Sequence, residues 1–548
     1  MALSRRSLLL GTATSIWPLV AAASRPRGPL RSDPFTLGVA SGDPAEDGFV
    51  LWTRLAPEPL AEDGLGGMPP RDVPVDWEVA EDEGFRRIVR RGVEVARPDF
   101  GHSVHVELTD LPPGRDYFYR FRVERYLSPA ARTHTAPAPT ARPRSLAMSF
   151  ASCAQYEHGF FTAYRRLAED EPELILHLGD YLYEYGPNSY VLPGGNPRDH
   201  AGPETRTLAD YRRRHAQYKT DPDLQAAHAV APWAVTFDDH EVSNNWAGDH
   251  PARPDPDFTA RRAAAFQAYY ENMPLRRASI PDGPGIRVHR RLRWGRLATF
   301  HLLDTRQFRD DQACHDGYRD CAAAADPARS ITGPEQERWL LDGFRESTAH
   351  WDVLAQQVFF ARRDSNPGPA TVTGMDTWDG YVASRERVSR GWVDAGVRNP
   401  VVLTGDVHSH WANELKLDWT DPAAPAVGAE LVCSSITSNG DGADVPDGRH
   451  PWAAWNPHLR FHNNQRGYVR TRIEPTTMTA DFRVLPYVTM PGAPAHTRAT
   501  FAIEDRVPGL HKLADAPTPQ VASATGRPVA RRPADLGRET IRQETARP

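Results

Sequence analysis

Six side chains able to hold a cation follow directly on short apolar runs: Cys153, Asp180, Asp239, His240, Asp406 and His408. Thiolate, carboxylate and imidazole are the protein's usual metal ligands. Each has a plainer use when taken singly, as a turn cap, a small core residue or part of a solvated acidic run. Four separate runs that all end this way favour a metal site over four caps. Tyr183 stands three residues after Asp180, so a phenol and a carboxylate can meet at one point.

Such side chains need a scaffold that brings strand ends together. Apolar runs bounded by turn signals predict strands buried on both faces. They fall at 146–153, 174–178, 233–237, 297–303, 351–358, 400–405, 431–437 and 479–484. Amphipathic stretches at 160–169, 208–215, 258–273 and 334–347 predict helices, the last with Thr332 as its cap. Alternation of this kind gives an α/β catalytic domain over 145–505, and ligands of open α/β sheets collect at the carboxyl ends of the strands.

Ahead of it, short alternating segments at 49–53, 75–79, 103–108 and 117–123 predict a β-sandwich over 35–135. The segment Leu111-Pro-Pro-Gly-Arg-Asp-Tyr117 resembles the tyrosine corner of immunoglobulin- and fibronectin-like sandwiches. A Pro-rich linker, 136–143, follows. The tail, 506–548, is expected to be mostly disordered, with a short helix within 507–515.

The chain has 548 residues, 40% hydrophobic and 25% charged, with a net charge of -6. That balance is globular and gives no electrostatic basis for nucleic-acid binding. Residues 1–23 combine Arg5-Arg6, an apolar run to Val20 and Ala21-Ala22-Ala23. This reads as a twin-arginine signal peptide, so the protein is expected to use the twin-arginine translocase and to be periplasmic or extracellular. The run is too polar to span a bilayer, and no stable membrane span is expected. Cys314 and Cys321 flank a short polar loop and could pair in an oxidising compartment.

The motifs Gly179-Asp180-x-x-Tyr183, Asp239-His240-Glu241 and Gly405-Asp406-x-His408 resemble the metallophosphoesterase pattern, with the tyrosine of purple acid phosphatases. Ala-Ser-Cys153, Phe-Asp-Asp-His240-Glu-Val-x-Asn-Asn245-Trp and Asp304-Thr-Arg306-Gln-Phe-Arg309 are the variants of the PhoD-like alkaline phosphatases, as are Thr-Gly-Asp406-Val-His408 and Ser434-Ser-Ile-Thr. The resemblance spans nearly the whole chain to about residue 505. It implies a metallophosphoesterase four-layer α/β sandwich behind the N-terminal domain, and a phosphomonoesterase or phosphodiesterase acting on small or cell-wall polymer phosphate esters.

Residue by residue, the resemblance gives the first metal Cys153, Asp180, Tyr183 and His408. Thiolate and phenolate together suit Fe(III). The second site carries Asp239 and Asp406 where the general pattern has an amide and an imidazole. An all-oxygen set favours Ca²⁺, and Asp180 would bridge the ions. Two such cations activate a water and clamp phosphoryl oxygens. The pattern has His240 protonate the leaving group or steady the phosphate, with Arg306 and Arg309 as the candidates to stabilise transition-state charge. Asn244, Asn245 and Gln357 are expected to complete the calcium shell or touch phosphate, Arg309 to touch substrate, and His410 and Tyr181 to line the substrate pocket. Trp246, Trp378 and Tyr381 either shape access or fill the core. Two other readings stay open: a catalytically weak secreted binding protein with a structural metal, and the same fold with a zinc or manganese pair.

Overall fold

The structure is a computed structural model that describes residues 28–517. The expected signal segment 1–23 and the tail from 518 onward lie outside them. Two sheets dominate. The larger runs, in spatial order, Val507–Asp515, His496–Glu504, Thr477–Leu485, Arg466–Ile473, Leu146–Ala151, Leu174–His177, Trp233–Val235, Val39–Ala45, Gly48–Arg54 and Ser103–Glu107. The smaller runs Arg290–Trp294, Ala298–Leu302, Trp351–Ala355, Pro400–Thr404, Ala426–Val432, His410–Lys416 and Leu459–Asn463.

Each sheet has a parallel centre. Leu174–His177 pairs in parallel with Leu146–Ala151 and with Trp233–Val235. In the other sheet Ala298–Leu302, Trp351–Ala355, Pro400–Thr404 and Ala426–Val432 form an unbroken parallel series. These strands are short and apolar because both of their faces are covered. One core cluster joins Met148, Phe150, Leu174 and Leu176 of the first sheet to Phe300, Val353, Val401 and Leu431 of the second. A second cluster packs Leu167, Tyr211, Leu224 and Phe266, on the helices Thr162–Glu169, Leu208–Lys219, Pro222–Val230 and Phe258–Asn272, against Ile175, Trp233 and Val235. A third packs Leu340, Phe344, Val388 and Trp392, on the helices Gly333–Glu346 and Val382–Asp394, against Leu354, Val402 and Val432. Among the described residues, no helix is long and apolar enough to cross a membrane.

The strands of the N-terminal region fall into two sheets. One of its sheets is separate, with Ile88–Ala96, Val73–Ala80 and Asp116–Val123 side by side and Tyr126–Leu127 and Ala131–His134 on the last. The opposing strands, Val39–Ala45, Gly48–Arg54 and Ser103–Glu107, instead continue the large catalytic sheet, joined where Gly42 pairs in parallel with Trp233. Phe49, Leu51, Val104 and Val106 from that extension pack on Val75, Val79, Tyr119 and Phe121. The sequence pattern specifies which faces are apolar, not which sheet edge a strand joins.

Two smaller expectations are corrected and one open alternative is resolved. Residues 507–515 are a strand, because His496–Glu504 offers an open edge that a local helix signal cannot anticipate. Thr332 occupies the cap position of its helix, but its hydroxyl accepts no amide there. Trp246, Trp378 and Tyr381 are core residues. Trp378 Nε1 donates to Gln356 Oε1 and Tyr381 to the Asp310 carbonyl. Cys314 and Cys321 form a disulfide.

Candidate metal centre

The carboxyl ends of Leu146–Ala151, Leu174–His177, Trp233–Val235 and Pro400–Thr404 release the chain at one edge of the two sheets, and an isolated parallel bridge from Ser152 to Ser435 ties the sheets there. The loops come close. A Cβ on Gly179, at φ 110°, would stand 2.6 Å from the Asp238 nitrogen, and one on Gly405 would stand 2.6 Å from Ser152 Oγ. Cys153, Asp180, Asp406 and His408 all adopt left-handed backbone, with φ of 62°, 53°, 60° and 53°. Such geometry costs about 1–3 kcal/mol per residue and persists where the surroundings over-determine it, as at active sites.

Those surroundings are visible. The Cys153 and Ala154 amides donate to the carbonyls of Gly179 and Asp180 at 3.1 and 2.8 Å. One buried carboxylate, Glu241, accepts the amides of Asp180, Tyr181 and Asp238 at 3.0, 2.6 and 2.9 Å. Burial pushes Glu241 up to about 8 against the pull of those amides.

The ligand candidates form three overlapping groups: Cys153, Asp180 and His408; Asp180, Asp239 and His240; and Asp238, Asp239 and Asp406. Within each group the ligand atoms lie within 4.8 Å of one another. Asp180 and Asp239 each belong to two groups, so the set is continuous. Tyr183 joins the first group, its hydroxyl donating to Asp180 Oδ2 at 3.0 Å, with His408 Nε2 at 3.1 Å. Ser438 Oγ lies 2.7 Å from the same phenol oxygen.

The donor set fits cations. Asp180, Asp238, Asp239 and Asp406 are all buried, and the guanidinium of Arg306 is the positive group bonded to two of them. Burying that much negative charge is costly without compensation. Asp238 Oδ2 is buried without a hydrogen-bond partner, and burial, partly offset by Arg306, pushes this carboxyl up to about 8. Burial, with Asp180 beside it, pushes the Cys153 thiol well above its ordinary value. A bound cation reverses that tendency and makes the thiol a thiolate ligand.

His240 stacks on Tyr183 with ring centroids 4.0 Å apart. Its Nδ1 lies 2.7 Å from Glu184 Oε2, which places its Nε2 on the side of Asp239 Oδ2, 3.8 Å away. Glu184 Oε1 accepts the Asn244 amide at 2.7 Å. Asn244 is half-buried, and its Oδ1 accepts from Tyr185 at 3.3 Å. The Asn245 amide donates to Asp239 Oδ2 at 2.7 Å, and its Nδ2 to Asp316 Oδ2 at 2.5 Å, inside the disulfide-closed loop.

Several expected substrate contacts are held elsewhere. Arg306 is wholly buried, its guanidinium 2.5 Å from Asp238, 2.9 Å from Asp376 and 3.6 Å from Asp239. Arg309 donates to Asp376 at 2.6 Å and to the Thr305 carbonyl. Burial works against the charge on Asp376, but the two arginines hold its carboxyl below the usual range. Both guanidiniums brace carboxylates. His410 accepts the Ser434 amide at 3.1 Å and meets Phe482 edge-on, a core position. Tyr181 pairs with His228 at 2.9 Å, and the Gln357 amide bonds Thr236, Leu303 and Thr305.

Some participants escaped sequence reasoning. Glu241 and Asp238 lie inside a recognised motif, and Glu184 directly follows Tyr183, so their position was a usable signal. Ser438 likewise directly follows the Ser434-Ser-Ile-Thr motif, whereas Asp376 and Asn439 lie outside the quoted motifs.

The PhoD-like phosphatase family matches residues 147–482, and the N-terminal domain of PhoD-like phosphatases matches 21–137. Alkaline phosphatase D of Bacillus subtilis (strain 168) is 51% identical over 485 residues, covering 88% of this chain and 83% of that protein. A solved structure of PhoD superposes with a TM-score of 0.87 at 51% identity, over 89% of this chain and 94% of its own. With its catalytic and N-terminal regions both matched in this way, the chain belongs to the PhoD-like phosphatases and is a phosphoester hydrolase.

Proposed function

We propose that this phosphatase works through a two-cation centre of Fe(III) and Ca²⁺. Cys153, Asp180, Tyr183 and His408 would hold the first ion; Asp239 and Asp406, with Asp180 between the two, would hold the second. Asp238 adds a further oxygen ligand to the second set. The observation that carries this reading is the continuous run of buried ligand groups through Asp180 and Asp239. When bound, the ions would supply an acidified water and charge for the phosphoryl oxygens.

The chain's own residues do the rest. His240, held at Nδ1 by Glu184, directs Nε2 into the site and gives a proton to the leaving alcohol. Asn244 turns its Oδ1 to Tyr185, and we assign its Nδ2 to a phosphoryl oxygen. Arg306 acts one step back, orienting Asp238 and Asp239. The layering of helices and sheets supports a metallophosphoesterase four-layer sandwich. The Tyr117 hydroxyl, 3.5 Å from the Pro112 carbonyl, supports an immunoglobulin-like origin for the N-terminal domain. Residues 1–23 support export by the twin-arginine pathway to the periplasm or beyond.

Metal analysis of protein made in a twin-arginine-competent host, with hydrolysis of a phosphomonoester and a phosphodiester before and after EGTA, tests the centre. Fe(III) with thiolate and phenolate ligands should colour the protein, and Tyr183→Phe should shift or bleach the band. Activity should vanish with EGTA and return with Ca²⁺. A colourless, fully active enzyme containing only zinc would sink the Fe(III)/Ca²⁺ assignment.

A further inference from the structure

A histidine that ligates through one ring nitrogen needs a defined partner on the other. His408 has one from a loop no motif covers. Asn439 Nδ2 lies 2.9 Å from His408 Nδ1. An amide NH₂ only donates; with the amide turned this way Nδ1 accepts, and the ring proton then belongs on Nε2, 3.1 Å from Tyr183 Oη. In that tautomer Nε2 cannot bind a cation. Ligation requires Nε2 to release its proton and Nδ1 to take one up, and Nδ1–H then needs an acceptor.

Asn439 carries that acceptor on the same side chain. Its Oδ1 receives the Tyr190 hydroxyl at 2.7 Å. A half-turn of the amide puts Oδ1 on His408 Nδ1–H and Nδ2 on Tyr190 Oη, which can accept as readily as it donates. Both hydrogen bonds survive with their directions reversed.

The frame around the amide is fixed. Asn439 has left-handed backbone, φ 70°, a conformation Asn tolerates. Its N–H donates to Nδ1 of His158 at 3.0 Å, and Nε2 of the same buried imidazole lies 3.1 Å from the Tyr190 carbonyl. The His158 and Tyr190 rings also meet edge-on at 4.6 Å. One histidine thus ties the Asn439 main chain to Tyr190 and leaves the amide as the part that turns.

We propose that Asn439 is a positioning residue that sets the tautomer of His408, and through it the hold on the first cation, with His158 and Tyr190 keeping it in place. This rests on the two-cation reading above.

The test uses full-length protein purified with its metals, following the release of each ion into excess EDTA by mass spectrometry. A carboxylate only accepts, so Asn439→Asp matches the ligating tautomer and should release the first ion no faster than wild type. Asn439→Leu offers no acceptor and should release it about 10–100-fold faster, the usual worth of such a partner. Either variant decides alone if the other fails to fold. Release from Asn439→Asp as fast as that expected of Leu, or release from Asn439→Leu at the wild-type rate, overturns the inference. Wild-type protein without a tightly held ion overturns the two-cation reading itself, a different result from either.

Discussion

The Glu241 carboxylate accepts the Asp180 amide at 3.0 Å, 61 residues away in the chain, and so fixes the one side chain common to both proposed metal sites. The same carboxylate takes the Tyr181 and Asp238 amides. Glu241→Ala leaves three buried donors unpaired, at about 1–3 kcal/mol each before relaxation. We expect about 3–5 kcal/mol of lost stability in denaturant titration, together with loss of both metals. Glu241→Gln keeps an acceptor and should lose less. An alanine variant that retains its metals would show that the Asp180 loop is held by something else.

His240 is tested by its leaving groups. If it donates a proton, His240→Ala should keep its metals and hydrolyse nitrophenyl phosphate almost normally, since nitrophenolate departs unprotonated. An alkyl phosphate should slow by about 10²–10⁴-fold. Glu184→Gln can still accept from Nδ1 and should slow the alkyl substrate by less. Equal losses on both substrates would indicate phosphate positioning, and a missing metal would make His240 a ligand.

Arg306 is expected to act through Asp239. Arg306→Lys cannot span Asp238, Asp239 and Asp376 at once. It should raise the Ca²⁺ concentration needed for activity by about 10–100-fold, with KM for substrate near wild type once Ca²⁺ saturates. A raised KM at saturating Ca²⁺ would return Arg306 to the substrate.

Acid stability should depend on buried histidines outside the ligand set. His177 is buried, pairs with Tyr164 at 2.8 Å and lies over Trp233. Burial, helped by Lys219, lowers it to about 3. Its folded value is below its unfolded one, so the unfolded chain binds the extra proton. The stability it contributes is complete above about pH 6.5 and falls as the pH drops toward 3, by about 1.4 kcal/mol per pH unit for one proton. Chemical denaturation of His177→Gln should show a shallower acid limb by that amount. Parallel limbs for the variant and wild type would mean that His177 is protonated in the folded state.

The catalytic strands and most of the ligand set were legible because both are local patterns. A run such as 174–178 is apolar but for His177 because helices cover one face of its sheet and the second sheet covers the other. The residue leaving such a strand points to the open sheet edge whatever the rest of the chain does. Cys153, Asp180, Asp239, Asp406 and His408 therefore stood out as ligand candidates from position and type. Their partners did not, since Asn439 reaches His408 across 31 residues and Arg306 reaches Asp376 across 70.

The amino-acid sequence by itself determined the family and the strand-end positions of the ligand candidates. The tertiary structure alone decided that the N-terminal strands extend the catalytic sheet, that residues 507–515 pair as a strand, and that Arg306 and Arg309 pair with carboxylates. The physical reason is common to all three. An edge strand's partner and a buried guanidinium's partner are chosen by which surfaces meet once the sheets stack, and no local spacing encodes that meeting.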